Sequence, residues 1–223
     1  MITIEGRHII PIGCSCISQF QIQKRFADHP PRGGFFDWNI ATPAASARVM
    51  ETYADGSLMP LLADFSAYTT LTRQRYLINR HLPGLYFWHE PARDILNAET
   101  PDAFAAFQSK LTHQLANTFK PGAGAVHLLW SNIQPNLKIV TARVTDDWGG
   151  FGLTCQAIDR LEAAAARLFE APKLWFVINR DNCETGLAAR PNVFDLGLER
   201  SAKYIGPKGH YAPVFRSIAQ HSD

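Results

Sequence analysis

The stretch "AVHLLWSN", residues 125–132, decides the fold class. It is a continuous apolar run of strand length that follows a glycine turn. Strands that are apolar on both faces are typical of the inner positions of a parallel sheet covered by helices on each side. "KLWFVINR", residues 173–180, repeats the pattern, and shorter strand patterns occupy residues 8–12 and 192–198. We therefore expect several buried parallel strands.

Helical patterns lie between these strands. Thr42-Pro43 and Thr100-Pro101 each place an N-cap residue before a proline at the first helical position. Apolar residues at helical spacing then continue to Phe119, and a second apolar stripe occupies residues 157–169. The alternation predicts an α/β fold in three layers, with a mostly parallel sheet flanked by helices.

The length and the composition indicate one domain over residues 1–223. Residues 54–100 mix polar and aromatic side chains without a clear period, and they predict a helical and aromatic insertion or lid. The formal net charge is +2. This value is too small to favour a nucleic-acid partner.

Targeting and redox patterns favour a cytoplasmic protein. No run approaches the roughly 20 apolar residues of a membrane span, so no membrane partner is expected. The first residues predict a strand, not a signal peptide. Four cysteines in 223 residues do not resemble a secreted disulfide framework. No cofactor is expected, and no metal site either, because Cys155 and Cys183 each lack the second cysteine of a zinc knuckle.

The likeliest place for a ligand in such a sheet is beyond the carboxyl ends of its strands. The predicted strands bring four segments to that edge: residues 13–18, 131–136, 180–183 and 206–210. The first of them belongs to "IPIGCSCISQF", residues 10–20, where a strand, a glycine and a short turn lead into a helix. The question is what the two cysteines of this turn do.

The turn carries Cys14, Ser15 and Cys16 at the start of the predicted helix. The positive end of a helix favours the thiolate of a cysteine placed there, and its N–H groups can stabilise an oxyanion. These features favour a nucleophile. Simple packing is the alternative, because cysteine is among the residues most often buried.

A nucleophilic cysteine needs a base, and the base is held in place by an acid or an amide. Of eight histidines, His89 in "LYFWHEP" and His210 in "GPKGHYAP" have the most suggestive surroundings. Asp37 in "GGFFDWN" either caps its turn or holds an imidazole. Asn132, which follows a buried strand, either adds an oxyanion donor or makes a turn.

Three stretches together resemble a bacterial family classed as papain-like cysteine peptidases, whose function is unknown. They are "IPIGCSCISQFQIQKR", "GGFFDWNIATP" and "LYFWHEP", and the resemblance covers mainly residues 8–90. It implies that Cys16 is the family cysteine, that Phe36-Asp37-Trp38 is the aromatic–acid motif, and that His89-Glu90 is the histidine–acid pair. The alternation of strands and helices does not resemble a papain domain, so the resemblance bears on these residues and not on the fold.

The leading hypothesis is a thiol-dependent acyl hydrolase or acyltransferase acting on a small-molecule, glycan or acyl substrate. Cys16 attacks the carbonyl, His89 transfers the proton and Asp37 orients the imidazole. The expected substrate-binding residues are Trp38, Asn132, Arg73 and Arg75.

Two other functions stay open. A serine esterase of the Gly-Ser-Asn-His type would use Ser15, Asn132 and His210, although Pro207 stands where that pattern has an aspartate. A non-catalytic protein that binds an anionic sugar or nucleotide would use the arginines of "TRQRYLINRH", Arg73 and Arg75 among them.

Overall fold

The computed structural model of the protein describes residues 1–4, 6–13, 16–70, 76–97, 99–133, 148–179, 183–196 and 211–220. Its described strands are β1 Ile2–Ile4, β2 Arg7–Pro11, β3 Ile40–Ala41, β4 Tyr68–Thr70, β5 Leu77–Asn79, β6 Leu85–Phe87, β7 Ala125–Ser131, β8 Lys173–Ile178 and β9 Val193–Asp195. Its described α-helices are α1 Ile17–Arg25, α2 Pro43–Ala54, α3 Leu58–Ala63, α4 Ala92–Ile95, α5 Pro101–Phe119, α6 Cys155–Ala166 and α7 Ala212–Gln220.

The main sheet has the strand order β1-β2-β7-β8-β9. Neighbours from β2 to β9 pair in parallel, and β1 adds an antiparallel edge. In the register of the central pair, Leu128 lies opposite Leu174 and Trp130 lies opposite Phe176. The predicted α/β fold with a mostly parallel sheet is confirmed.

Apolar side chains of the central strands are buried on both faces of the sheet, as the runs at 125–132 and 173–180 predict. One face packs in a first core with α2, α5 and α6, represented by Val49, Leu115 and Leu161. The other face packs in a second core with α1 and α7, represented by Ile22 and Val214. Helices therefore cover the sheet on both sides, which makes the predicted three layers.

A second sheet of antiparallel strands, in the order β3-β6-β5-β4, packs into the first core. Three of its strands come from the middle segment that was expected to be a helical and aromatic insertion. Each of these strands has only three residues, too few to show an alternating pattern in the sequence. The aromatic character is confirmed, since Phe87 packs edge-to-face against Phe107 at a centroid distance of 5.3 Å.

The amino-terminal segment differs from the single strand that the sequence predicts. It forms a hairpin in which Ile2 lies opposite Ile9, with Gly6 between the strands at φ +78°. Gly6 adopts this left-handed conformation without the steric cost that a side chain would bring. The further strand suggested for residues 137–144 lies outside the described residues.

Among the described helices, none combines the length and the apolar character that are needed to cross a lipid bilayer.

Candidate functional site

The thiol turn lies at the carboxyl edge of the main sheet, as predicted. Strand β2 ends at Pro11, and the N–H of Ile12 still donates to the carbonyl of Leu129 on β7 at 3.0 Å. Gly13 follows, and Cys16 is the N-cap residue of α1. The turn therefore joins the end of one inner strand to the positive end of a nine-residue helix.

Cys16 is buried, with 4% of its surface exposed, and it is one of the buried hydrophobic residues of the interior. Its side chain makes no capping hydrogen bond to α1. Burial of this kind is what a cysteine that only packs would also show. The feature that favours a thiolate is its place as the N-cap residue at the positive end of α1.

Gly13 is closely surrounded by neighbouring elements. An added Cβ would lie 2.8 Å from Ser46 Oγ, 3.0 Å from the carbonyl oxygen of Ala41 and 3.2 Å from Trp130 Nε1. The backbone at Gly13 has φ +122°, a conformation essentially restricted to glycine. Glycine at this position therefore allows the backbone to turn, and it allows β3, α2 and β7 to lie close to that backbone.

A row of aromatic rings connects α1 to His89. Phe20, four residues after Cys16 on α1, contacts Trp38 edge-to-face at 5.5 Å. Trp38 in turn contacts the ring of His89 edge-to-face at 5.7 Å. Residues four apart on a helix share one face, so Cys16 and Phe20 lie on the same side of α1, and His89 is two ring contacts away from Phe20.

His89 is exposed, and partial burial of its ring lowers its pKa below the ordinary value of 6.5. The carboxylate of Glu90 opposes this shift and the ammonium of Lys110 adds to it. Glu90 and Lys110 are themselves an ion pair, with 2.5 Å between Oε1 and Nζ. The imidazole is therefore mainly neutral at pH 7, which is the form that accepts a proton.

We expect Lys110→Gln to raise the pKa of His89. The substitution removes a nearby positive charge and leaves Glu90 without its ion-pair partner, and both changes favour the imidazolium. The pKa is measured by NMR from the pH dependence of the imidazole resonances. Lys120→Gln, at an exposed position that the shift of His89 does not involve, is the matched control. A pKa of His89 above 6.5 in the unsubstituted protein would contradict the assigned cause.

Asp37 is engaged with the α-ammonium group of Met1. The two carboxylate oxygens lie 3.2 and 3.3 Å from the Met1 nitrogen, and Oδ2 also accepts from the N–H of Gly34 at 2.8 Å. The ammonium donates as well to Gln19 Oε1 and to the carbonyl of Arg32, both at 3.2 Å. The described polar contacts of Asp37 do not include His89, so the orienting role stays a prediction without a contact to support it.

Burial acts on both members of this ion pair. It raises the pKa of the Asp37 carboxyl above its ordinary value, although the ammonium of Met1 and the N–H of Gly34 both act to lower this pKa. It lowers the pKa of the Met1 amino group, against the charge and hydrogen bond of Asp37. Each charge is therefore tolerated in the interior mainly because the other one is present.

Asn132 connects the ends of β7 and β8. Its Nδ2 donates to the carbonyl of Asn179 at 3.2 Å and to Cys183 Sγ at 3.4 Å, and its Oδ1 accepts from the N–H of Asn179 at 2.7 Å. Both ends of the amide are therefore used within the protein. This arrangement supports a structural role more directly than the predicted substrate-binding role.

A cavity of about 260 Å³ lies at the same sheet edge, beyond the ends of β8 and β9. Cys183 lines it together with Ile178, Glu184, Thr185, Gly186, Leu187, Ala188 and Asp195. The Glu184 carboxylate accepts from the N–H of Cys155 at 2.7 Å, which ties this loop to the start of α6. Within the described parts of the chain, no group of three or more His, Cys, Asp or Glu residues is placed to hold a metal ion.

Several predicted site residues lie outside the described part of the chain. They are the alternative nucleophiles Cys14 and Ser15, the alternative base His210, and the arginines Arg73 and Arg75. Their proposed roles stay predictions.

Two buried polar atoms at the start of α1 and one on β7 beside Gly13 have no hydrogen-bond partner among the described residues, and the sequence did not single them out. They are Ser18 Oγ, Gln19 Nε2 and Trp130 Nε1. A buried polar group without a partner is uncommon in native proteins. The sequence cannot show that a tryptophan in an apolar strand lacks a hydrogen-bond acceptor, because the acceptors around it come from residues far away in the chain.

Comparisons of the chain with models of protein families, with curated proteins and with solved structures found no match. The resemblance to papain-like peptidases therefore stays a prediction from the three sequence stretches that carry it.

Proposed function

We propose that the protein is a thiol-dependent acyl hydrolase or acyltransferase with Cys16 as its nucleophile. One observation carries the proposal: Cys16 is the N-cap residue of α1, which follows strand β2 at the carboxyl edge of a parallel sheet. This edge is where α/β proteins bind ligands, and the helix end favours both a thiolate and an oxyanion.

The reaction begins when the neutral imidazole of His89 takes the proton of the Cys16 thiol, and the resulting thiolate attacks the carbonyl carbon of an ester, thioester or amide. A carbon–sulfur bond forms, and the carbonyl electron pair moves to the oxygen. The tetrahedral oxyanion then returns this pair and expels the leaving group, which receives a proton from the imidazolium of His89. Water or another acceptor attacks the acyl-cysteine, gives its proton to His89 and releases the acyl product, so that the thiolate is restored.

His89 is proposed as the base because ring contacts through Trp38 connect it to Phe20, one helical turn after Cys16, and because its lowered pKa favours the neutral form. The carboxylate that affects the pKa of His89 is that of Glu90, and it raises this pKa. Asp37 is assigned to the Met1 ion pair instead. The proposal therefore retains Cys16 and His89 from the predicted set and no longer uses Asp37 as the residue that orients the imidazole.

The test is the covalent modification of the native protein by two small reagents. Iodoacetamide alkylates a thiolate, and p-nitrophenyl acetate transfers an acetyl group to a nucleophile with release of nitrophenolate. We expect both reagents to modify Cys16 preferentially, as mapped by mass spectrometry of the digested protein. Cys16→Ala then removes the fast phase of nitrophenolate release. Cys155→Ala, at a half-buried cysteine on α6, is the matched control and retains it.

A Cys16 that reacts only in denaturant would overturn the proposal. An acetyl group found on Ser15 instead would transfer it to the serine esterase alternative. His89→Gln separates the role of the base: we expect it to slow acetylation about 100-fold at pH 7. An unchanged rate would exclude His89 as the base and leave the nucleophile in place.

A further inference from the structure

The indole N–H of Trp130 is a donor without an acceptor in the part of the chain that the structure describes. Trp130 lies on β7, the middle strand of the sheet, and is fully buried, and no described group accepts from its Nε1. The indole nitrogen can only donate, so it can be satisfied only by an acceptor that comes to it. Leaving such a group unpaired is unfavourable, because it has lost its hydrogen bonds to water and gained none in the interior. A bound ligand with an acceptor oxygen would recover part of this cost.

This donor lies beside the thiol turn. Nε1 is 3.2 Å from the position that a Cβ on Gly13 would occupy, and Gly13 is three residues before Cys16. Two acceptors lie next to the same glycine, the carbonyl of Ala41 and the hydroxyl of Ser46, but neither bonds to the indole. Ser46 Oγ donates instead to the carbonyl of Ile12 at 2.5 Å. A donor that no described group of the protein uses therefore lies beside Gly13.

A second unpaired polar atom is found on the helix that the turn leads into. Ser18 is the second residue of α1, and it is fully buried, with no partner for its hydroxyl within the described segments. The N–H groups in the first turn of a helix lack acceptors within the helix. Hydrogen-bond donors therefore border the turn on the β7 side, at Trp130, and at the start of α1.

We propose that the Trp130 indole N–H is an oxyanion donor, which binds the carbonyl oxygen of an acyl substrate and the negative charge on it after Cys16 attacks. The inference rests on the proposed function and assigns a catalytic residue that the sequence did not indicate. The buried surroundings exclude water from the N–H, so its interaction with a developing charge is stronger than it would be in solution. Glycine at position 13 is what keeps a side chain away from this N–H.

The experiment compares two reactions of the same thiol. Acetylation of Cys16 by p-nitrophenyl acetate passes through an oxyanion, whereas alkylation by iodoacetamide is a displacement at carbon that forms none. We expect Trp130→Phe, which removes the N–H and retains an aromatic ring, to slow acetylation about 100- to 1,000-fold. The alkylation rate should change less than about threefold, because the thiolate itself is unaffected. Trp175→Phe is the matched control, since it removes a buried indole that already donates to His127 Nδ1 at 3.0 Å.

The outcomes separate this inference from the proposed function. If Cys16 of the unsubstituted protein takes no acetyl group, the proposed function fails and the inference fails with it. If Cys16 is acetylated but Trp130→Phe slows both reactions equally or neither, only the inference is overturned.

A second measurement does not require the variant to fold. Propionaldehyde adds to a thiolate to form a hemithioacetal, in which the former carbonyl oxygen occupies the oxyanion position. We expect the indole proton resonance of Trp130, assigned by NMR in the unsubstituted protein, to move downfield when this adduct forms on Cys16. An adduct that leaves this resonance in place would overturn the inference.

Discussion

Replacing Asp37 by Asn should destabilise the protein by roughly 3 kcal/mol at pH 6. The substitution leaves the Met1 ammonium buried without its counter-charge, although Gln19 Oε1 and the carbonyl of Arg32 remain as acceptors. The variant is expected to relieve this cost by releasing the proton of the amine. Taking a proton from a group whose unfolded pKa is 8.0 costs about 1.4 kcal/mol for each pH unit below that value.

The Met1–Asp37 ion pair also determines how the stability of the Asp37→Asn variant changes with pH. In Asp37→Asn the folded amine is neutral and the unfolded amine binds a proton below pH 8. The unfolded state therefore holds more protons, and the stability of the variant rises as the pH increases towards 8. The difference between the two proteins should narrow as the pH rises, until the folded amine of the unsubstituted protein, whose pKa is lowered below 8.0, also loses its proton, and it should stay constant above that pH.

The measurement is urea unfolding at several pH values, on protein in which Met1 carries a free amino group. Asp55→Asn is the matched control, because Asp55 forms an exposed ion pair with Arg167. Exposed pairs of this kind contribute about 1 kcal/mol or less. If Asp37→Asn were no more costly than Asp55→Asn, the Met1 ion pair would not be the main role of Asp37. An unchanged stability together with a changed titration of His89 would restore the predicted orienting role.

The main sheet was predictable because its signals are local. The apolar runs that became β7 and β8 and the Thr-Pro pairs that begin α2 and α5 can each be recognised within a few residues. The position of Cys16 was predictable for a related reason. A strand followed by glycine and a helix places its turn at the carboxyl edge, whatever the rest of the chain does.

The partners within the site were not predictable, because they depend on contacts across long separations in sequence. Asp37 pairs with Met1 thirty-six residues away, and nothing in "GGFFDWN" indicates an ammonium group as its partner. Trp130 reaches the turn at Gly13 only because β7 lies beside β2. The sequence identifies residue types that are capable of chemistry, but the strand order decides which of them meet.

The second large effect that we expect is at Gly13, where alanine should destabilise the protein by about 3 kcal/mol or more. Two costs add. The first is backbone strain, since φ +122° lies outside the regions that a residue with a Cβ adopts readily. The second is the clash of the new methyl group with the Ala41 carbonyl at 3.0 Å and with Ser46 Oγ at 2.8 Å. Ser46 cannot move without giving up its hydrogen bond to Ile12, and the Ala41 carbonyl is part of the backbone.

Gly56→Ala separates these two costs, because Gly56 also has a positive φ, +74°, and nothing lies within 4 Å of its added Cβ. We expect this control to cost about 1 to 2 kcal/mol, the penalty of a left-handed backbone alone. Urea unfolding gives both values, and the alkylation rate of Cys16 in the folded variants shows whether the turn has kept its geometry. Equal costs at the two glycines would mean that the Gly13 turn can move away from Ala41, Ser46 and Trp130. The close approach on which the oxyanion assignment depends would then not be a fixed property of the fold.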